Sequence, residues 1–168
     1  MSTFHKLTIQ KIIKETVDAV SIQFEIPTNL KEQFKFVAGQ YITIKTEIKG
    51  AEIRRAYSIC SSPNSNELKV AVKAIEGGRF STHAVSKLKA RDVLEIAEPE
   101  GKFILSPKAN KNYIAFAAGS GITPVLSMVK AVLENETTAT FTLVFGNKSA
   151  ESTIFKSELD ALSKQYST

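Results

Sequence analysis

The sequence predicts an antiparallel all-β sandwich or closed barrel, followed by the first part of an α/β unit with parallel strands. Three observations predict it. Over the first hundred residues apolar and polar positions alternate in short runs separated by turn-rich pieces. From about residue 110 continuous apolar runs alternate with helically spaced ones. Between them lies a polar, proline-bearing junction, "SPKANKN" at 106–112.

In "VDAVSIQFEI", Val20, Ile22, Phe24 and Ile26 fall on one face and Ser21, Gln23 and Glu25 on the other, the period-two signature of a half-buried strand. "YITIKTEI", "LKVAVKA" (Leu68, Val70, Val72) and "DVLEIAE" repeat it, with "EIKGAE" and "SSPNSNE" as turns. "RRAYS" also reads as strand. One helix interrupts the series, "STHAVSKLKA" from Ser81. "YIAFAAG" then reads as a strand covered on both faces. "ITPVLSMVKAVLEN" reads as a helix with Ile122, Val125, Leu126, Val129, Val132 and Leu133 on its apolar side. "TFTLVF" is a further strand, and "STIFKSELDALSKQY" a further helix with Phe155, Leu159 and Leu162 on one side. Two strand–helix units alone leave an edge unpaired and apolar surface uncovered.

Composition excludes several function classes. The 168 residues are 43% hydrophobic and 23% charged, as in a globular domain. One cysteine, Cys60, rules out an intrachain disulfide or a four-cysteine metal site, and it reads as a small buried hydrophobe. With only His5 and His83, a histidine-rich metal site is also excluded. No apolar run approaches the roughly 20 residues that span a bilayer, and no signal pattern opens the sequence, so the expectation is a cytoplasmic protein off the membrane. The net charge of +5 comes from scattered lysines, which favours an acidic small ligand over nucleic acid.

Three motifs suit a phosphate-bearing ligand with a flat ring. In "RRAYS", Arg55 offers a guanidinium fork for phosphate, and Tyr57 is on the same side of a strand and offers a ring for stacking. Ser58 faces the other way but can reach a ring edge through its backbone. "GGRFSTHAV" leads two glycines into a helix start with Ser81 and Thr82 as candidate caps. "AGSGITP" places Gly119 and Gly121 between a strand and a helix, where free N–H groups and the helix dipole suit a pyrophosphate; Pro124 stands where the third glycine of a dinucleotide fingerprint would be. Each motif also serves as a plain solvated strand or capped turn, and Gly39 in "AGQY" reads as an ordinary turn.

The order of these motifs, "AGQY", "RRAYSICS", "VKAIEGGRFS", "AGSGITP" and "VFGN", resembles the ferredoxin–NADP reductase superfamily over nearly the whole chain. Within it, "FHKLTIQKI" and "AVKAIEGGRFS" are most similar to the reductase component of phenylacetyl-CoA epoxidase systems. The resemblance implies a Greek-key flavin-binding barrel over 1–107 and part of a nicotinamide-binding α/β domain over 108–168. It implies that Arg55, Ala56, Tyr57, Ser58, Val72, Gly77, Gly78, Arg79, Phe80 and Ser81 bind FAD, with Tyr57 and Ser58 beside the reacting ring. It places Gly119, Gly121, Ile122 and Thr123 toward NADPH (or NADH), and Gly146 and Asn147 toward its adenosine half.

The implied activity is an FAD-dependent reductase carrying electrons from NAD(P)H to a 2Fe-2S centre and then to an oxygenase, in phenylacetate degradation. The cluster would belong to a ferredoxin domain outside these residues. Because the family's later nicotinamide-domain segment is absent from these 168 residues, the expectation is FAD binding with poor nicotinamide turnover. The competing expectation is a non-catalytic β-barrel binding module for nucleic acid or a protein partner.

Overall fold

The structure, a computed structural model, describes residues 3–166. Six strands form one antiparallel sheet: β1 (Phe4–Lys14), β2 (Ala19–Glu25), β3 (Tyr41–Ile48), β4 (Ala51–Ser58), β5 (Leu68–Lys73) and β6 (Val93–Ala97). Their order is β4-β3-β6-β1-β2-β5, so β6 inserts between two hairpins in the Greek-key manner. The sheet curls until its edges meet at one bridge, Ile59 to Val70. Inward-facing Leu7, Ile9, Ile22, Phe24, Ile42, Ile44, Leu68, Val70, Val72 and Ile96 fill the interior, each stabilising the fold by about 1.5–3 kcal/mol. The short helix α1 (Arg79–Ser86) adds Phe80 and Ala84 to that core.

The remaining chain forms β7 (Asn112–Ala118), α2 (Ile122–Asn135), β8 (Thr140–Gly146) and α3 (Lys156–Gln165), with β7 and β8 parallel. Helix α2 is wedged between barrel and sheet. Its Ile122, Val125, Leu126 and Val129 meet Ala19, Cys60 and Ala71 of the barrel, and Ala115, Ala117, Leu143 and Phe145 of the small sheet pack on the same cluster. Among the described residues no helix is long and apolar enough to cross a membrane.

The structure departs from the sequence expectations in four places. The longest strand, β1, was not among the expected elements; its burial is irregular, and a register shift between Ile9 and Lys11 breaks the alternation. Helix α1 starts two residues before Ser81, at Arg79. Helix α3 starts only at Lys156, because Phe155 takes φ +62°, a left-handed conformation that a right-handed helix cannot contain. The strand β7 is covered on one face only. Ile114 and Phe116 on the other face are 66% and 77% exposed, as a two-stranded sheet with both helices on one side requires.

Gly39 holds the junction between the two parts. It sits at φ +101°, and a Cβ there would stand 2.1 Å from the Phe103 carbonyl oxygen and 2.5 Å from Met128 of α2. Gly50 also has positive φ (+72°), with nothing within 4 Å. Urea unfolding should therefore separate them: Gly50→Ala loses about 1–2 kcal/mol, from backbone conformation alone. Gly39→Ala loses about 3 kcal/mol or more, because the clash adds to it.

Candidate functional site

The edge strands β4 and β5 are bridged at Ile59 and Val70, and beyond that bridge they part. A cleft of about 590 Å³ opens there. Arg55, Ala56, Tyr57 and Ser58 form its β4 wall, and Ala71 and Lys73 its β5 wall. The turn from Ile75 to Gly78 and the start of α1 (Arg79, Phe80, Ser81) close one end. Ser120, Gly121, Thr123 and Pro124, at the entry to α2, face it from the other side.

Strand alternation puts Ile53, Arg55 and Tyr57 on one face of β4. Ile53 is buried in the core, whereas Arg55 is exposed and Tyr57 half-buried, and both line the cleft. The two adjacent arginines have different partners. Arg54 Nε donates to Glu52 at 2.8 Å, and its guanidinium stands 5.2 Å over the Phe4 ring. Arg55 donates to the Arg54 carbonyl, at 2.7 Å. Among the described residues no carboxylate pairs with Arg55 or with Arg79, which donates to the Ile48 carbonyl at 2.9 Å. Tyr57 rests on Phe80, ring centroids 5.5 Å apart. Burial pushes its phenol up to about 12, with Arg55 partly opposing, so the ring stays neutral and its hydroxyl stays a donor.

At the start of α1 the N-cap is Gly78, with no side-chain cap. The expectation that Ser81 or Thr82 caps this helix is corrected: both lie inside it, and Ser81 Oγ instead accepts from the Ile75 amide at 3.3 Å. The first-turn amides thus have no side-chain acceptor and open on the cleft beside Arg79. Glycine is required at 78, since a Cβ would meet Ser81 Oγ at 2.2 Å and Ile75 at 2.6 Å. Gly77 supplies φ +70° for the turn.

Across the cleft, Gly119 (φ +50°) to Gly121 form a 3-10 turn into α2, and a Cβ on either glycine would meet nothing within 4 Å. Thr123 Oγ1 donates to the Ser120 carbonyl at 3.1 Å. Gly146 pairs with Ala118 at the carboxyl ends of β8 and β7, where ligands of parallel sheets bind. The next residue, Asn147, has a buried side-chain oxygen with no hydrogen-bond partner.

The cleft gathers most of the residues singled out from sequence, but not all. Val72 points into the barrel core and Ile122 into the core beneath α2, both fully buried, so neither side chain can touch a ligand. Gly119, Gly146 and Asn147 lie outside the cleft lining. Sequence reasoning missed Ala71, Lys73, Ile75, Glu76 and Ser120. Alternation in β5 was the available signal: if Val72 faces the core, Ala71 and Lys73 face away from it. A second groove of about 610 Å³ follows the free side of β8, between Phe141, Leu143, Leu159 and Leu162. Among the described residues no lysine or arginine lines it, so it does not suit phosphate.

A Greek-key barrel with a basic, glycine-lined cleft at its open seam, backed by a parallel strand–helix unit, has the groups that suit a phosphate-bearing dinucleotide. The comparisons agree. The family model described as "Oxidoreductase FAD-binding domain" matches residues 6–104, and "Oxidoreductase NAD-binding domain" matches 116–168. The chain belongs to the oxidoreductase FAD-binding domain family.

It is 45% identical over 168 residues to a component of the 1,2-phenylacetyl-CoA epoxidase of Escherichia coli K12, covering 99% of this chain and 47% of that protein. It is 34% identical to the ferredoxin reductase component of 3-ketosteroid-9-alpha-monooxygenase of Rhodococcus rhodochrous, covering 96% and 46%. The chain thus spans about half the length of the curated relatives it matches. Among solved structures it superposes on phthalate dioxygenase reductase with a TM-score of 0.76 at 30% identity, covering 93% of this chain and 47% of that one. The fold also matches the flavohem-like FAD/NAD binding domain of a Vibrio cholerae nitric oxide dioxygenase, TM-score 0.82 at 21% identity, covering 96% and 70%.

The raised phenol of Tyr57 has a measurable consequence. Between pH about 10 and about 12 an unfolded chain has lost this proton while the folded chain keeps it, so stability falls as pH rises through that window. In an alkaline titration followed by tyrosinate absorbance, Tyr57→Phe should remove the highest step and leave the lower ones in place. Loss of a lower step instead would show that the ring is not shielded.

Proposed function

We propose that the cleft holds FAD, and that the chain is the flavin- and nicotinamide-binding portion of a reductase that takes electrons from NAD(P)H. Further on, the electrons go to an iron–sulfur centre and an oxygenase, as in phenylacetyl-CoA oxidation. One observation carries the reading. An anion-ready pair, Arg55 and Arg79, stands beside an uncapped helix start and an aromatic plate, Tyr57, in one cleft facing the Gly121–Thr123 turn. That set fits FAD, a pyrophosphate joined to a flat ring. Bound FAD would supply hydride acceptance and one-electron release.

The chain's own residues have separate tasks. Arg55, Arg79 and the first-turn amides of α1 hold phosphate oxygens. Tyr57 covers one face of the ring and excludes water from it, and Ser58 borders the ring edge. The α2 entry, Gly119 to Thr123, leaves room for a nicotinamide to approach, and Gly146 and Asn147, at the end of β8, border its adenosine half. Lys148, exposed beside Asn147, favours a cofactor with an extra phosphate, hence NADPH over NADH. In this reading 1–107 is the flavin domain and 108–168 belongs to the nicotinamide domain. The iron–sulfur acceptor lies outside these residues, because one cysteine cannot ligate it.

Titration of the purified chain with FAD, followed by flavin fluorescence quenching, tests the proposal. Arg55→Gln should weaken binding about 10- to 100-fold, the value of a charged hydrogen-bonding group. Tyr57→Ser should weaken it by about 10-fold, through lost stacking. Absence of quenching, together with salt-sensitive binding of a single-stranded oligonucleotide, would replace this reading with that of a non-catalytic binding module.

A further inference from the structure

The side of α2 that meets the barrel is not apolar throughout. Ser127, Lys130 and Glu134 lie on one stripe of the helix, three and four residues apart. Each grips a residue of the segment that follows Tyr57 and Ser58. Ser127 Oγ donates to the Ser61 carbonyl at 2.8 Å, Lys130 Nζ donates to the Cys60 carbonyl at 3.2 Å, and the Ser62 hydroxyl donates to the Glu134 carboxylate. Lys130 is buried, and its ammonium lies 2.6 Å from Glu158 of α3. The other oxygen of Glu158 lies 3.7 Å from Lys69 of β5.

An ion pair with one buried and one part-exposed member is a weak source of stability, since apolar side chains of equal volume often serve as well. Its distinctive property here is position. Residues 60–62 continue the strand wall that carries Tyr57 and Ser58, and α2 begins at the opposite wall with Ile122 and Thr123. Fastening 60–62 to the middle of α2 therefore fixes one wall of the cleft against the other.

We infer that Lys130 is a positioning residue: clasped between the Cys60 carbonyl and Glu158, it locks α2 to the barrel and so sets the gap between Tyr57–Ser58 and Gly121–Thr123. The functional consequence, a fixed distance between flavin and nicotinamide, rests on the proposed reading of the cleft; the clasp itself does not.

The chain contains its own reporter. Cys60 is its single cysteine, is fully buried in this seam, and donates Sγ–H to the Lys69 carbonyl at 3.3 Å. The experiment measures the rate at which dithiobis(nitrobenzoate) modifies Cys60 in the whole chain across low urea concentrations. Lys130→Met should raise the rate by about tenfold or more, with a urea dependence much shallower than that of global unfolding, because the seam parts while both sides stay folded. A rate equal to that of the unsubstituted chain, or an increase that carries the full global slope, would overturn the inference, the latter showing a merely stabilising role.

Should Lys130→Met not fold, Lys130→Met with Glu158→Gln removes the carboxylate left without Lys130 and keeps an amide oxygen facing Lys69. The same fast, shallow reaction is expected of it, and a folded double variant as shielded as the original would equally overturn the inference. In whichever folded variant is used, FAD affinity should stay within about threefold of the original, because the phosphate cradle lies on the barrel side. A tenfold loss, on the order of 1.4 kcal/mol, would count against a positioning role. If the unsubstituted chain fails to quench FAD, the cofactor reading falls while the thiol result still stands.

Discussion

The edge strands β4 and β5 share one bridge, Ile59 to Val70, reinforced by the Cys60 amide donating to the Lys69 carbonyl at 2.8 Å, and then separate. Closing the seam fully would satisfy every ladder hydrogen bond but would leave no opening in the barrel. Leaving it part-open lets the stretch of β4 between Ile53 and the bridge, Arg55 to Ser58, line a cleft. The sequence answers that opening with an arginine and a tyrosine where a closed barrel would place aliphatic residues, and with α1 drawn in behind them. Phe80, buried at the base of the opening, supports Tyr57 from beneath. The cleft is thus a consequence of how far the ladder runs.

Helix α2 converts that local gap into a two-sided site. It is buried against the barrel through Ala19, Cys60 and Ala71 and against β7 and β8 through Ala115, Ala117, Leu143 and Phe145. A helix buried on two sides must also bury residues from its polar stripe, and Ser127 and Lys130 are those residues. Each has a partner on the barrel, which satisfies the rule that buried polar groups be bonded. It also makes the relative placement of the two parts more specific than apolar contact alone would. Gly39, which admits only backbone against Phe103 and Met128, tightens the same joint at its other end.

The two-part fold was legible because period-two alternation in Val20, Ile22 and Phe24, and helical spacing in Ile122, Val125 and Val129, are set by burial on one dominant side. Legibility failed where burial was not one-sided. Strand β1 carries a bulge, so its alternation slips. The α2 stripe with Ser127 and Lys130 looks like a solvated face until the barrel is seen to cover it. Phe155 gave no sign that it would adopt a left-handed backbone and delay α3. At the site, Arg55, Tyr57 and Gly78 were readable from residue chemistry. Val72 and Ile122 came in with the motif order, whereas strand alternation for the one and helical spacing for the other already pointed them at the core. Lys73 and Glu76 were missed because a cleft wall contributed by a second strand has no local sequence signature.

The charge arrangement of the cleft bears on why the proposed ligand suits it. Lys73 is committed to Asp18 at 3.5 Å, and Arg54 is committed to Glu52. Arg55 and Arg79 have no carboxylate partner among the described residues, and the α1 start adds about half a positive charge. Both guanidiniums are exposed, so water stabilises them before any ligand arrives and the folded chain bears little cost in holding them apart. A pyrophosphate would bring about two negative charges to these two cations and the helix end, whereas a polyanion would need a longer basic track. The scattered net charge of +5 offers no such track. Two cations without a carboxylate partner among the described residues, one helix start without a side-chain cap and one neutral ring thus correspond in number as well as in kind to the parts of the proposed flavin dinucleotide.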